Sequence, residues 1–298
     1  MTLATAVGVP SVLLATGSLL LRLQSSRLRR GFLEAARDFD PPGLRTVVDP
    51  PTFSLPDQPD PDSPDSGLGS THGLGADTAP PAEPAPGRTD SAALVVLGDS
   101  WLAGSAPSDP ARLLSRGLAS LLGMPVRLTS LAEPSARAES LIAQVDRALH
   151  DPHLAVRGGP RIAVLSMGTA DILFPVTGSI TLGVLSSALS RLQRAGFATV
   201  LLCCPNLSSL PGIRNPLRTV MRRSARVLAG SQWLAALSAG AMPLSLTRIL
   251  SGTSHVGLVD ESGLRPSALG RRQLAAAVLR AIADRHALPR HSTPTEDE

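Results

Sequence analysis

Residues 92–104 read AALVVLGDSWLAG, and the fold is decided there. The small and β-branched apolar residues from Ala93 to Leu97 predict a strand buried on both faces, because no polar residue interrupts them. The run ends abruptly in Gly98, Asp99 and Ser100, so a hydroxyl sits at the C-terminal edge of a buried strand. In open parallel α/β sheets that edge collects ligands and catalytic groups, since the loops there lie outside the packed layers. Gly-Asp-Ser also serves as an ordinary turn and helix N-cap, and the tripeptide alone fits both readings equally.

Outward from this stretch, strand and helix alternate. Helical spacing runs from Pro110 to Leu122 and stops at Gly123; PVRLTS, Pro125 to Ser130, is a second strand; a helix follows from Ser135 to Leu149, with Leu141, Ile142, Val145 and Leu149 on one face. RIAVLS, Arg161 to Ser166, is a third buried strand running into Met167, Gly168, Thr169, Ala170 and Asp171. Next come a helix from Ile180 to Ala195, the strand Ala198 to Cys203, an Arg-rich helix from Asn215 to Ala239, a short apolar stretch from Ala241 to Leu246, and a helix from Pro266 to Ala283 striped by Leu269, Leu274, Val278 and Ile282. Buried strands alternating with helices predict a three-layer α/β/α sandwich of about five parallel strands.

The flanking material differs in kind. No charge occurs in residues 2–21, about the twenty residues that a membrane-crossing helix needs. Arg22, Arg27, Arg29 and Arg30 follow at once, which predicts a single membrane anchor with the arginines and the body on the cytoplasmic side. Residues 1–39 are read as this anchor with its Arg-rich flank. Residues 40–91 are Pro-, Gly- and Asp-rich and read as a disordered linker that lets the body stand off from the membrane. The body is 92–286, expected to fold as a fragment from Ser91, and 287–298 is a disordered tail. His72, His286 and His291 fall in or beside these flanks and are not read as ligands or bases, and His150 and His153 sit exposed at a helix end.

Composition narrows the function. All 28 basic residues are arginine, yet the net charge is only +4 and aromatics are 2%, too little stacking surface for single-stranded nucleic acid, so no nucleic-acid partner is expected. Cys203 and Cys204 are adjacent and without further thiols, so they read as reduced core residues, and neither a metal nor a cofactor is expected. No G-x-G-x-x-G or G-x-x-x-x-G-K-[ST] follows a strand, which excludes the common nucleotide-binding loops.

The order of three loops, Gly98-Asp99-Ser100, Gly168-Thr169-Ala170-Asp171 and Arg265-Pro266-Ser267, resembles that of the SGNH (GDSL-type) hydrolases, as do LLCCPNL at 201–207 and LRPSALGRRQLA at 264–275. The resemblance implies a flavodoxin-like fold, ester or acyl hydrolysis, and Ser100 as nucleophile. Position by position it also implies replacements: the oxyanion-hole Gly falls on Ser135, the oxyanion Asn on Ala170, the catalytic His on Arg265, and its Asp on Ser262. Ser100 and Ser135 still offer backbone N–H groups, whereas Ala170 has no side-chain donor, and losing one such donor typically costs about 100- to 1000-fold in rate. A serine needs a base to take its proton, and arginine cannot accept one. Two readings follow: a membrane-tethered binding or scaffolding module with impaired chemistry, or an esterase with a rearranged base, for which His255, near Asp260, is the candidate. Arg265 is expected either to pair with Asp171 or Asp260 or to leave an anion site for a carboxylate or phosphate.

Overall fold

The computed structural model describes residues 22–30, 33–34, 43–51, 90–104, 109–173, 178–206, 208, 213–250, 257–260 and 265–286. The elements in chain order are α1 (residues 22–30), β1 (Leu44–Val48), β2 (Asp90–Gly98), α2 (Pro110–Leu122), β3 (Val126–Ser130), α3 (Ala138–Leu149), β4 (Arg157–Ser166), α4 (Thr169–Leu173), α5 (Gly178–Arg194), β5 (Phe197–Cys203), α6 (Leu217–Ser238), β6 (Met242–Ser245), α7 (Leu246–Ile249) and α8 (Ala268–His286). The six-stranded sheet has the order β1-β3-β2-β4-β5-β6. Five strands are parallel, in the flavodoxin-like arrangement, and β1 lies antiparallel to β3 at one edge.

The side-chain period of two along β2 divides the core into two layers. Ala92, Leu94 and Val96 meet Leu114 and Leu118 of α2 and Leu274, Val278 and Ile282 of α8. Ala93, Val95 and Leu97 meet Leu141 and Val145 of α3, Leu185 and Leu189 of α5, and Ala236 of α6 on the opposite face. A strand apolar at every position is what a covered parallel sheet requires, and it yields the expected three layers. Helix α2 shows how sharply its ends are set: Asp109 accepts the Ala111 N–H at 2.9 Å, Pro110 opens the first turn, and Gly123 closes the last with φ 63°.

Strand β1 lies within the span read as linker. Its residues LRTVV alternate half-buried and exposed, with Leu44 and Val48 packing on the α2 side of the core. Asp151, whose carboxylate is almost wholly buried, accepts from Thr129 Oγ1 at 2.9 Å and Arg45 Nε at 3.2 Å, and His153 Nε2 lies 3.2 Å from the Thr46 carbonyl. His153 is therefore half-buried against β1 rather than exposed. Two further residues assigned to the core face solvent: Ile142 is 45% and Leu269 53% exposed, because the buried stripe of α3 runs through Ala138, Leu141, Gln144, Val145 and Ala148, and that of α8 begins at Leu274. Among the described residues no helix is long and apolar enough to cross a membrane, and residues 2–21 lie outside the described ones.

Candidate active site

Strands β3 and β4 flank β2 while α2 and α3 leave toward opposite faces, so the C-terminal end of β2 lies at the switch point of the sheet. Gly98 ends the strand with φ 120°, and a Cβ there would lie 1.8 Å from the Ser166 carbonyl oxygen, so only glycine allows β2 and β4 to approach this closely. The next residues form a tight turn in which the Asp99 carbonyl accepts from Leu102 N at 3.1 Å and Ala103 N at 3.0 Å. Ser100 sits at its tip, 3% exposed.

Asp99 clamps this turn onto the loop after β4. Its Oδ1 accepts from Trp101 N at 3.2 Å and Ser166 Oγ at 3.0 Å, and its Oδ2 from Thr169 N at 3.3 Å. The Trp101 indole N–H adds a bond to Thr169 Oγ1 at 2.8 Å. Burial pushes the Asp99 carboxyl above its ordinary value, outweighing donors that each favour the ionised form. Fully buried and bonded to three neighbours, Asp99 fixes the position of Ser100 rather than serving as a base.

Two buried glutamines complete the frame. Past Ser130 the chain still follows β2, Leu131 N donating to the Val96 carbonyl at 2.8 Å, but the Gly98 N–H is taken by Gln144: its Oε1 accepts that N–H at 2.6 Å and its Nε2 donates to the Gly98 carbonyl at 3.2 Å. Glu133 N donates to that same carbonyl at 2.9 Å, which hangs the loop carrying Ser135 on the end of β2. Gln232 of α6 does the same for the next gap, accepting from Cys204 N at 2.7 Å and donating to the Met167 carbonyl at 2.6 Å. Sequence reasoning missed both. The one available signal was a polar residue standing on the apolar stripe of each helix.

Of the residues singled out from sequence, Ala170 is wholly buried in α4 with only a methyl to offer, and Ser135 is exposed in its turn. Asp171 Oδ1 accepts the Ala138 N–H at 3.3 Å, while its Oδ2 is buried with no hydrogen-bond partner among the described residues. Burial, helped by the negative charges of Asp99 and Glu139, pushes its pKa up to about 6 against the opposing pull of the Ala138 N–H and Arg137. Arg265 has its carboxylate: its Nε donates to Asp260 Oδ2 at 2.5 Å, and the pair is fixed by an antiparallel bridge between Val259 and Pro266. Asp260, not Asp171, is thus its partner. Arg271 on α8 lies near enough to Arg265 for the two charges and burial to lower its pKa, while Asp109, which caps α2 beyond the Ser100 turn, and Asp260 pull it the other way. His255 and Ser262 lie outside the described residues. Burial pushes the Cys203 thiol up to about 12 and Cys204 well up too, so neither is poised as a thiolate nucleophile.

The described residues hold a buried hydroxyl at the end of β2 and an arginine–aspartate pair in the segment that leads into α8. No family model matches the sequence. The chain is similar to the GDSL-like esterase Rv1075c of Mycobacterium tuberculosis, at 28% identity over 213 residues, which covers 68% of this chain and 66%, just under two thirds, of that protein. By structure it is similar to the lipase/acylhydrolase from Enterococcus faecalis (TM-score 0.52, 17% identity, covering 67% of this chain and 99% of that one). It is likewise similar to the psychrotrophic esterase EstA from Pseudoalteromonas sp. (TM-score 0.50, 14% identity, 65% and 98% covered), a structure inhibited by monoethylphosphonate. At these identities the structural likeness carries the fold, the three-layer α/β/α fold of the SGNH hydrolases, and the similarity to a GDSL-like esterase supports a likeness to the SGNH/GDSL-type hydrolase family.

Proposed function

We propose that this protein is a membrane-tethered SGNH-fold module that holds a ligand at the Ser100 turn without turning over esters. The observation that carries the reading is the Arg265–Asp260 pair. In a serine hydrolase an aspartate orients a histidine that removes the nucleophile's proton. Here the position that the resemblance gives to the histidine holds Arg265, bonded to Asp260, and its guanidinium holds its protons at any pH a folded chain survives. The missing donor at Ala170 and the buried, high-pKa thiols support the same reading, because no other described group at this edge replaces the lost base or the lost oxyanion donor. The tether is residues 2–21, on the strength of their length and lack of charge.

The likeness to a GDSL-like esterase favours a second reading, an active esterase using His255 as base. Both are tested on the full chain with a fluorophosphonate probe and a short-chain p-nitrophenyl ester. The proposed module gives hydrolysis at background and no change on Ser100→Ala. Ser100-dependent labelling and turnover refute it, and loss of that turnover in His255→Ala then establishes the rearranged base.

A further inference from the structure

Helix α6 carries a stripe that the fold leaves uncovered. Val220, Val227 and Leu234 recur every seventh residue and are 48%, 63% and 68% exposed, with Leu237 (55%) and Trp233 (38%) beside them. Seven residues fall about 20° short of two full turns, so the three lie almost in line along the helix. The inner side is already occupied, since Leu217, Met221, Ala225, Gln232 and Ala236 are buried against the body. On a helix that faces water the outer side is polar. Here it mixes large apolar residues with the charges of Arg223 and Arg226; the 22 residues hold two further arginines, Arg218 and Arg222, which donate to Ser208, and no acid.

A cavity of about 800 Å³ opens along the same line. Val220 and Val227 belong both to its wall and to the exposed stripe, and across from them stand Arg22, Ser25, Leu28 and Arg29 of α1. Helix α1 is held in place by Arg29 Nε, which donates to the Leu173 carbonyl at 2.6 Å, and by Leu28, which packs with Ala170, Leu173 and Leu217. Its described residues start with Arg22, the first charged residue after the uncharged run of residues 2–21. The point from which a tether would run therefore lies on the wall of this cavity, beside the exposed stripe of α6.

We propose that the outer face of α6, with the arginines of α1 and the mouth of the cavity, seats on an anionic lipid bilayer, so that the body lies against the membrane. A basic helix with an exposed apolar line fits the boundary between headgroups and acyl chains, and guanidinium groups bind phosphate directly. Each arginine held at an anionic surface multiplies the partitioning about fivefold. The proposal rests on the tethering part of the proposed function and is independent of Ser100 chemistry.

Trp233 reports on it. The only other tryptophan, Trp101, is 2% exposed in the core. The full chain is reconstituted into phosphatidylcholine vesicles with and without phosphatidylglycerol, the acyl chains carrying bromine as a contact quencher. In the anionic vesicles the bromolipid is expected to remove roughly half of the total emission, the share of a tryptophan seated at the headgroup–acyl boundary. The loss disappears in Trp233→Phe, shrinks in vesicles lacking phosphatidylglycerol, and is abolished by V227E/L234E or R223E/R226E, all exposed positions, with unchanged far-ultraviolet circular dichroism. A chain that floats with the vesicles while Trp233 stays unquenched, or quenching that survives both double variants, overturns the docking face and leaves the tether standing. Self-crosslinking through α6 in place of quenching overturns it in favour of a second copy. A chain that fails to float overturns tether and docking face together.

Discussion

Replacing Asp171 by asparagine measures how much charge the loop after β4 is made to hold. The Asp171 residue is 9% exposed, one carboxylate oxygen is bonded to Ala138 N, and the other is buried without a hydrogen-bond partner among the described residues. Its pKa stands at about 6 against an ordinary 3.8, so at 1.36 kcal/mol per pH unit ionisation costs about 3 kcal/mol more in the folded chain than in the unfolded one. The folded state keeps this proton to higher pH, so between about pH 4 and pH 6 it binds more protons than the unfolded state and stability falls as pH rises, levelling off above that window. Asparagine removes the titration and keeps the acceptor for Ala138 N, but puts an amide donor where the orphaned oxygen stood, which costs about 1 kcal/mol. The expected net gain is about 2 kcal/mol at pH 8, or about 4–8 °C in Tm for a body of this size, vanishing by pH 4. Thermal melts of wild type and Asp171→Asn from pH 4 to pH 8 give the curve. A difference that is flat in pH, or a variant less stable at pH 8, refutes the account of Asp171 as a strained buried carboxyl.

Two further outcomes test the frame around Ser100 and the edge of the sheet. Gln144→Leu leaves the Gly98 carbonyl with the Glu133 N–H but orphans the Gly98 amide, and is expected to cost about 1–3 kcal/mol, read as a lower Tm; a melt indistinguishable from wild type means that Gln144 does not hold the Gly98 amide. Shortening residues 52–89 by half should change stability by only about 0.6 kcal/mol, because closure entropy depends weakly on loop length. Starting the chain at Ser91 instead strips β1 and bares the edge of β3, so that fragment is expected to melt lower and scatter light on warming; if it matches the full chain on both counts, β1 contributes nothing to the body.

How much of this was readable in the sequence depended on whether the signal was periodic. Strand β2 and its turn were plain because five consecutive apolar residues stop at Gly-Asp-Ser, and the helix stripes of α2 and α8 gave the layers around it. Strand β1 was hidden: LRTVV is short, half-buried, and set among Pro- and Asp-rich residues whose composition speaks for a linker. Ile142 and Leu269 looked like core because periodicity fixes a stripe only to within a residue or so, and tertiary packing chose the neighbouring register that buries Gln144. The α1–α6 cavity had no sequence signal at all, since its walls come from α1, α4, α5 and α6, segments far apart in the chain.

The hydrogen bonds around Ser100 and those around Arg265 form two separate sets. Every described contact that positions the Ser100 turn is made by groups that take no part in proton transfer: Asp99 with Ser166 and Thr169, Trp101 with Thr169, Gln144 with Gly98, and Gln232 across Met167 and Cys204. Arg265 lies in a separate segment, held by the bridge between Val259 and Pro266 and by Asp260. Arg265 satisfies the part-buried Asp260 carboxylate as a charged donor. The contacts that fix the Ser100 turn and those that fix Arg265 are thus made by different segments of the chain, so replacing Arg265 is expected to leave the turn and its hydrogen bonds in place.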